Sequence, residues 1–253
     1  MRRQNSMRAK QTRYQGFSLL EMMIALAILT VVIGVAVRGL VQMQHRNFAE
    51  TSKTDTVQQT RDFVDQMVRD LHAVGYPPRS VFVTKPICDA DNRVACSLIS
   101  YTPTQIVYEG DLDGTGTVYR IWVQLAVPAS GNCPCILQRG VIDKASLPQV
   151  PTYFAEVNGV LNSGDGAGGH NYGISLPGSG SYAVYANANV FEAYDTNAAL
   201  VPSCLTITAC STVASIKITA NVTSGYADPK TGIYSVYSIT SRARLNNGQL
   251  YND

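Results

Sequence analysis

Residues 17–37 read Phe-Ser-Leu-Leu-Glu-Met-Met-Ile-Ala-Leu-Ala-Ile-Leu-Thr-Val-Val-Ile-Gly-Val-Ala-Val, an apolar run broken by one acid, Glu21. As a helix it spans about 31 Å, enough to cross the hydrocarbon core of a bilayer. A carboxylate costs about 2.5–3.5 kcal/mol at the bilayer centre, and less near the interface. A lone acid at that depth therefore calls for a cationic partner. The nearest the sequence offers is an amine on Phe17, freed by cutting the chain after Gly16.

The segment ahead of the run, 1–16, carries Arg2, Arg3, Arg8, Lys10 and Arg13 and no acid. By the positive-inside rule it stays in the cytoplasm. It is not a secretory leader, because the small-residue cleavage position lies before the apolar stretch, not after it. The chain beyond Val37 is then expected outside the cytoplasm. The whole chain is +2, from 20 basic and 18 acidic residues. Without the five leader cations it is −3, with no Lys/Arg cluster after residue 17, so no nucleic-acid footprint is expected. All six cysteines follow residue 87, as suits an oxidising compartment such as the periplasm.

Past Val37 the text turns amphipathic. Residues 38–60 are polar and read as a helix that needs other subunits or the rest of the chain to hold it. Phe63, Met67 and Leu71 recur at i, i+4, i+8, with Val64 and Val68 beside them. One face is expected to pack on a sheet. Arg61, Asp62, Asp65, Arg69 and Asp70 are expected on the wet face, with Arg61–Asp65 and Asp65–Arg69 as i,i+4 ion pairs. Gly75 and Pro77-Pro78 stop the helix. Gly34 and Gly39 are candidate flexible points.

Strands are predicted at 98–101, 105–108, 117–127, 136–138, 182–185, 190–194, 213–222 and 233–245. The turn 109–116 joins the second and third into an antiparallel hairpin. The Gly/Ser/Asn-rich stretch 158–181 reads as one surface loop, or two around a short strand. A long N-terminal helix followed by antiparallel strands is an α+β fold.

Taken together, the basic leader, Gly16, Phe17, the acid at Glu21 and the apolar run resemble the class III signal of type IV prepilins. An uncleaved signal anchor with an accidental glutamate is the alternative. The resemblance implies that a membrane-embedded prepilin peptidase cuts after Gly16 and N-methylates Phe17. It also implies that Glu21, the fifth residue of the mature chain, neutralises a Phe17 amine during assembly. The downstream order is similar to the PilW/PulJ-type minor pilins. It comprises Gly75, then Ile106, Val107 and Tyr108 with Asp111, Leu112, Asp113 and Gly114, then Leu137 and Arg139, then Phe191, Tyr194 and Asp195, and last Ile216 and Ile218. The cysteine-bearing insertions near 88–96, 131–135 and 204–210 go beyond that pattern.

The implied organisation is a leader (1–16), a transmembrane helix (17–37), its amphipathic continuation (38–75) and a periplasmic β-rich head (76–253), in a type IV pilin-like fold. The implied partners are the membrane, the prepilin peptidase, other minor pilins, the major pilin and an inner-membrane assembly platform. The implied role is to initiate and cap a type IV pilus, moving from the inner membrane to the fibre or its tip. A J-like pseudopilin of a type II secretion system shares this architecture. A tip adhesin, contacting ligand through 158–195, is an alternative of another class.

Other constellations say less. Asp111 and Asp113, with Gly114 and Gly116, form half a calcium loop, but Thr115 and Trp122 stand where further oxygen ligands belong. Plain hairpin turns favour the same residues. Cys133-Pro-Cys135 lacks redox spacing and a matching zinc half-site. Cys88/Cys96 and Cys204/Cys210 are close enough for local bridges, yet six cysteines allow 15 connectivities and the sequence does not choose. The histidines His45, His72 and His170 join no catalytic spacing and no nucleophile or phosphate motif appears. The chain therefore reads as a non-enzyme without a cofactor, and Tyr119 and Trp122 as core or sheet-face residues.

Overall fold

Helix α1 runs from Leu19 to Ala73 without interruption at Gly34 or Gly39. A computed structural model of the chain describes residues 16, 18–129, 131–162, 173–174, 176–177, 182, 184–185 and 188–246. The chain divides into two units, 1–46 and 47–253. In the first, every side chain from Leu19 onward is exposed, and the helix is long and apolar enough to cross a membrane. Within this stretch the Thr30 hydroxyl donates to the Leu26 carbonyl at 2.8 Å, which satisfies it without water.

In the second unit the α1 stripe Phe63, Val64, Met67 and Leu71 is buried against a sheet. Fully burying a side chain such as Leu71 contributes about 1.5–3 kcal/mol. The sheet is built from β1 (Leu98–Thr102), β2 (Gln105–Gly110), β3 (Tyr119–Ala126), β5 (Cys135–Asp143), β6 (Tyr153–Val160), β8 (Phe191–Tyr194), β9 (Leu200–Val201), β10 (Ser215–Ala227) and β11 (Tyr234–Arg244). Its order is β1-β2-β3-β5-β6-β10-β8-β9, with β11 on β10, and all pairs are antiparallel. Two short strands, β4 (Asn132–Cys133) and β7 (Gly173–Ile174), pair in parallel. The one-turn helix α2 (Ile207–Cys210) lies between β9 and β10. The sheet curls, because Tyr101 and Cys204 exchange backbone hydrogen bonds of 2.7 and 2.9 Å, joining the β1 edge to the segment after β9. The architecture is α+β, a long N-terminal helix followed by a curled antiparallel head, consistent with a pilin-like fold.

The helix ends where expected. Gly75 takes φ +77°, a conformation glycine adopts without strain. The exit is tied to β2, since Gly75 N–H donates to Glu109 O at 2.9 Å and Asp111 N–H to Tyr76 O at 2.9 Å. The chains approach so closely that a Cβ on Gly110 would sit 2.7 Å from Ala73 O.

Several expectations need correction. Tyr182, Val184 and Tyr185 lie in 3-10 turn geometry, not a strand. The predicted 136–138 strand lies in the first half of the nine-residue β5, which runs on to Asp143. Strand β6 was not predicted. Its Asn158-Gly159 pair resembles loop text, but Gly159 has φ +75° and lets the backbone approach Thr223 O, 2.8 Å from where a Cβ would stand. Among the described residues neither Arg61–Asp65 nor Asp65–Arg69 closes within 4 Å; Glu50–Lys53 does, at 2.8 Å. Exposed pairs gain too little to hold two long side chains in one geometry. Of the 158–181 stretch, β6 takes 158–160 and β7 spans Gly173–Ile174, while 163–172, 175 and 178–181 lie outside the described residues.

Candidate functional site

Gly16 is exposed ahead of α1 and Glu21 stands in its first turn. Ser18 O accepts the Met22 N–H at 3.1 Å, which starts the hydrogen-bond ladder. A carboxylate in a first turn is favoured by the positive end of the helix dipole. Phe17, like residues 1–15 and His170, lies outside the described residues. Around Glu21 every described side chain is apolar or small and faces outward, so a cation for it must come from the chain's start or from another molecule.

Two buried ion networks hold the head. In the first, Asp70 on α1 accepts from the Tyr108 hydroxyl on β2 at 3.1 Å and from the Arg139 guanidinium on β5 at 2.7 Å. Asp70 is therefore buried at the helix–sheet contact and not on the wet face. It sits seven residues from Phe63 and three from Met67, which is the buried stripe. Burial raises the Asp70 carboxyl above its ordinary value, and Arg139 opposes that rise. Burial also pushes the Tyr108 phenol well up, helped by the neighbouring Asp70 charge. Leu137 and Arg139 share a strand face, so one residue fills the core and the other crosses to the helix.

Arg139→Met should therefore destabilise the chain in a pH-dependent way. The loss of its partner raises the folded-state pKa of Asp70 further. An acid with a raised folded pKa loses stability as pH climbs from its unfolded value through the folded one. The variant should lie near wild type at pH 4 and fall about 3–5 kcal/mol below it at neutral pH. Denaturant unfolding at both pH values measures this; an equal deficit at each would remove Asp70 as the cause.

The second network centres on Glu109, the penultimate residue of β2 and fully buried. It was predicted as part of a turn. One oxygen accepts from Arg120 at 2.6 and 2.9 Å; the other accepts from Lys144 at 2.7 Å and from Cys96 N–H at 2.8 Å. Lys144 is itself buried and also donates to the carbonyls of Cys88 and Val94, each at 2.7 Å. The ammonium thus sits inside the loop closed by the Cys88–Cys96 bridge. No sequence signal marks Lys144, which stands in a polar Asp-Lys-Ala-Ser connection.

The cysteines pair locally as Cys88–Cys96, Cys133–Cys135 and Cys204–Cys210. The turn after β2 uses both candidate ligands internally. Asp111 accepts from Gly114 N–H and Gly116 N–H, each at 2.8 Å; Asp113 accepts from the Thr115 hydroxyl at 2.7 Å and from Tyr119 at 3.2 Å. The Thr115 hydrogen bonds lower the Asp113 carboxyl. Among the described residues, the cluster of three side chains close enough for a metal is Cys88, Asp89 and Cys96, and its two sulfurs are joined in a disulfide.

No curated protein and no solved structure matched the chain. Residues 11–37 match the family profile described as the prokaryotic N-terminal methylation motif. That span contains Gly16, Phe17, Glu21 and the apolar run through Val37. The chain thus bears the N-terminal segment typical of type IV prepilin-like proteins.

Proposed function

We propose that this chain is a minor pilin that assembles with other minor pilins to initiate and cap a type IV pilus. The observation that carries the reading is Glu21 in the first turn of α1, alone among charged residues in the apolar stretch through Val37, five residues after Gly16 and inside the matched methylation motif. In this reading the prepilin peptidase cuts after Gly16, methylates Phe17 and frees its amine. The amine of one subunit then meets the Glu21 carboxylate in its own chain or a neighbour's. In low dielectric that attraction is strong and sets the register of otherwise uniform helices. Three disulfides suit a head in the periplasm. The assembly platform and the major pilin complete the partner set.

A clean deletion tests the reading, scored for surface pili with retraction active and blocked, and for secreted enzymes. Loss of pili with normal secretion, partly restored when retraction is blocked, is expected. Normal pili with lost secretion would instead make the chain a J-like pseudopilin, since the same motif serves both machines. Glu21→Ala should leave cleavage intact and reduce the protein in sheared fibres by roughly tenfold, about 1.4 kcal/mol of docking. Unchanged incorporation would count against the amine–carboxylate pairing.

A further inference from the structure

The sheet leaves one long edge open. Its far end is closed, since β1 is joined to the segment after β9 through Tyr101 and Cys204. Strand β11, 11 residues long, pairs only with β10 among the described residues. The phase of that ladder follows from the Leu245 N–H, which donates to Ala214 O at 2.9 Å. Counted back along the register, Ala243, Ser241, Ile239 and Tyr237 turn their backbone groups toward β10. Ser238, Thr240, Arg242 and Arg244 turn theirs away. Strand β10 has the matching phase, because its Thr219 N–H donates at 2.8 Å to Val190 O on the opposite side. Among the described residues no hydrogen bond reaches the outward backbone N–H or C=O of those four.

A long edge strand is a hazard unless charge, proline or a covering segment guards it. From Val236 to Ser241 β11 has no charge, glycine or proline. Its cations stand at one end. Arg242 stacks over the Tyr194 ring at 4.3 Å and donates twice to Ser215 Oγ, at 2.8 and 2.9 Å. Arg244 is exposed, and its side chain makes no hydrogen bond among the described residues. By strand alternation both lie on the outer face, away from α1, with Lys217, which is already paired with Glu192 at 2.8 Å. On the inner flank of the same strand, a groove of about 560 Å3 lies between Tyr237 and α1, lined by Lys53, Val57, Arg61 and Asp65. Open edge, outer cations and inner groove therefore belong to one strand.

We propose that this edge docks an extended strand from a different polypeptide, acidic on its outward side, which adds to the sheet beside β11. Open N–H and C=O groups at alternate residues call for another backbone in the extended form. The arginines then decide which strand enters. Beside Arg242 and Arg244 a carboxylate gains a charge-assisted hydrogen bond, whereas a cation is repelled. A second copy pairing through the same edge would put four arginines on one two-stranded ribbon. The charge that admits an acidic strand thus turns away a copy of this chain. Side chains on the inner side of the added strand enter the groove over Val57 and Tyr237. That the donor is another subunit of the same fibre tip rests on the assembly reading above; the strand site itself does not.

The test uses full-length chain in the membranes of its own cells, with a photo-crosslinking residue at Ser238 or, separately, at Thr240. Crosslinks to one segment of a different protein are expected, a segment with acids at alternate positions. Moving the probe from Ser238 to Thr240 should move the crosslinked position along that segment by the same number of residues, the signature of a strand ladder. With the probe at Thr240, S238P removes an outward donor that the head does not use, at an edge position where proline is tolerated. It should cut the yield roughly tenfold and leave the Tm of the purified chain unchanged. R244E disturbs no hydrogen bond in the head and should cut the yield by a similar factor, so a folding defect in S238P would not hide the result. Absent crosslinks, positions that ignore the probe shift, capture only of another copy, or yields indifferent to S238P and R244E would overturn the strand site. Mature mass and presence in sheared fibres are read in the same strains. If wild type lacks both while the ladder signature holds, the pilin reading fails alone; if both are normal and the ladder is absent, only the strand site fails.

Discussion

Glu109→Ala is expected to cost the chain about 3–5 kcal/mol, the penalty for breaking a buried ion pair from one side. The carboxylate has no exposed surface, and it is the counter-ion for a lysine that is almost as buried. Removing it leaves the Lys144 ammonium among the carbonyls of Cys88 and Val94 without compensating charge, and leaves the Cys96 N–H without an acceptor. Arg120, whose side chain is 21% exposed, can turn to water and suffers less. Thermal unfolding in detergent with the disulfides intact should show Tm lower by on the order of 10 °C, given about 2–4 °C per kcal/mol for a domain of this size. Lys144→Ala should cost a similar amount, and the double variant less than the sum, because the second change removes a charge the first had orphaned. A loss below about 1 kcal/mol in either single variant would mean that the disulfide, not the ion network, holds the 88–96 loop.

That network shows why part of this molecule was legible in its sequence and part was not. Periodicity carried α1, the Phe63–Met67–Leu71 stripe, the β2–β3 hairpin and the long β10–β11 pair, because each repeats one face over two or more turns or several residues. Gly75 and the proline pair gave the helix end for the same local reason, a backbone that could not continue. Asp70 reads as a wet-face residue by its charge, but its spacing from Phe63 and Met67 puts it on the buried face. Lys144 and Glu109 carry no such signal, since their burial depends on a partner 35 residues away and on a loop closed by a disulfide. Strand β6 escaped because Asn158 and Gly159 are loop residues by preference and strand residues only where the sheet needs close approach to Thr223. The three local bridges together are one of 15 connectivities, and only the folded chain positions the sulfurs that select it. The N-terminal site is the reverse case: Gly16, Phe17 and Glu21 stand out by local spacing alone, inside the span that matches the methylation motif, and in the proposed reading that spacing is recognised by other molecules in a membrane.

Gly16→Val should leave the whole population as uncut precursor, heavier by the leader, in an intact-mass measurement. The chain itself gives no reason for a defect. Gly16 precedes α1, and a Cβ there would meet no heavy atom within 4 Å. Its substitution therefore should not alter Tm or the helix. If cleavage stops, the requirement for glycine belongs to the peptidase, whose site must accept backbone where any side chain would stand. The consequence propagates by charge. Without cleavage the Phe17 amine stays locked in a peptide bond, and Glu21 keeps an uncompensated carboxylate near the membrane interface while five leader cations remain in the cytoplasm. Gly16→Val should thus fail in both cleavage and fibre incorporation, where Glu21→Ala fails in incorporation alone. Normal mature mass from Gly16→Val would remove the prepilin reading altogether, and with it the role assigned to Glu21. Uncut precursor that still entered fibres would keep the peptidase but sever processing from docking.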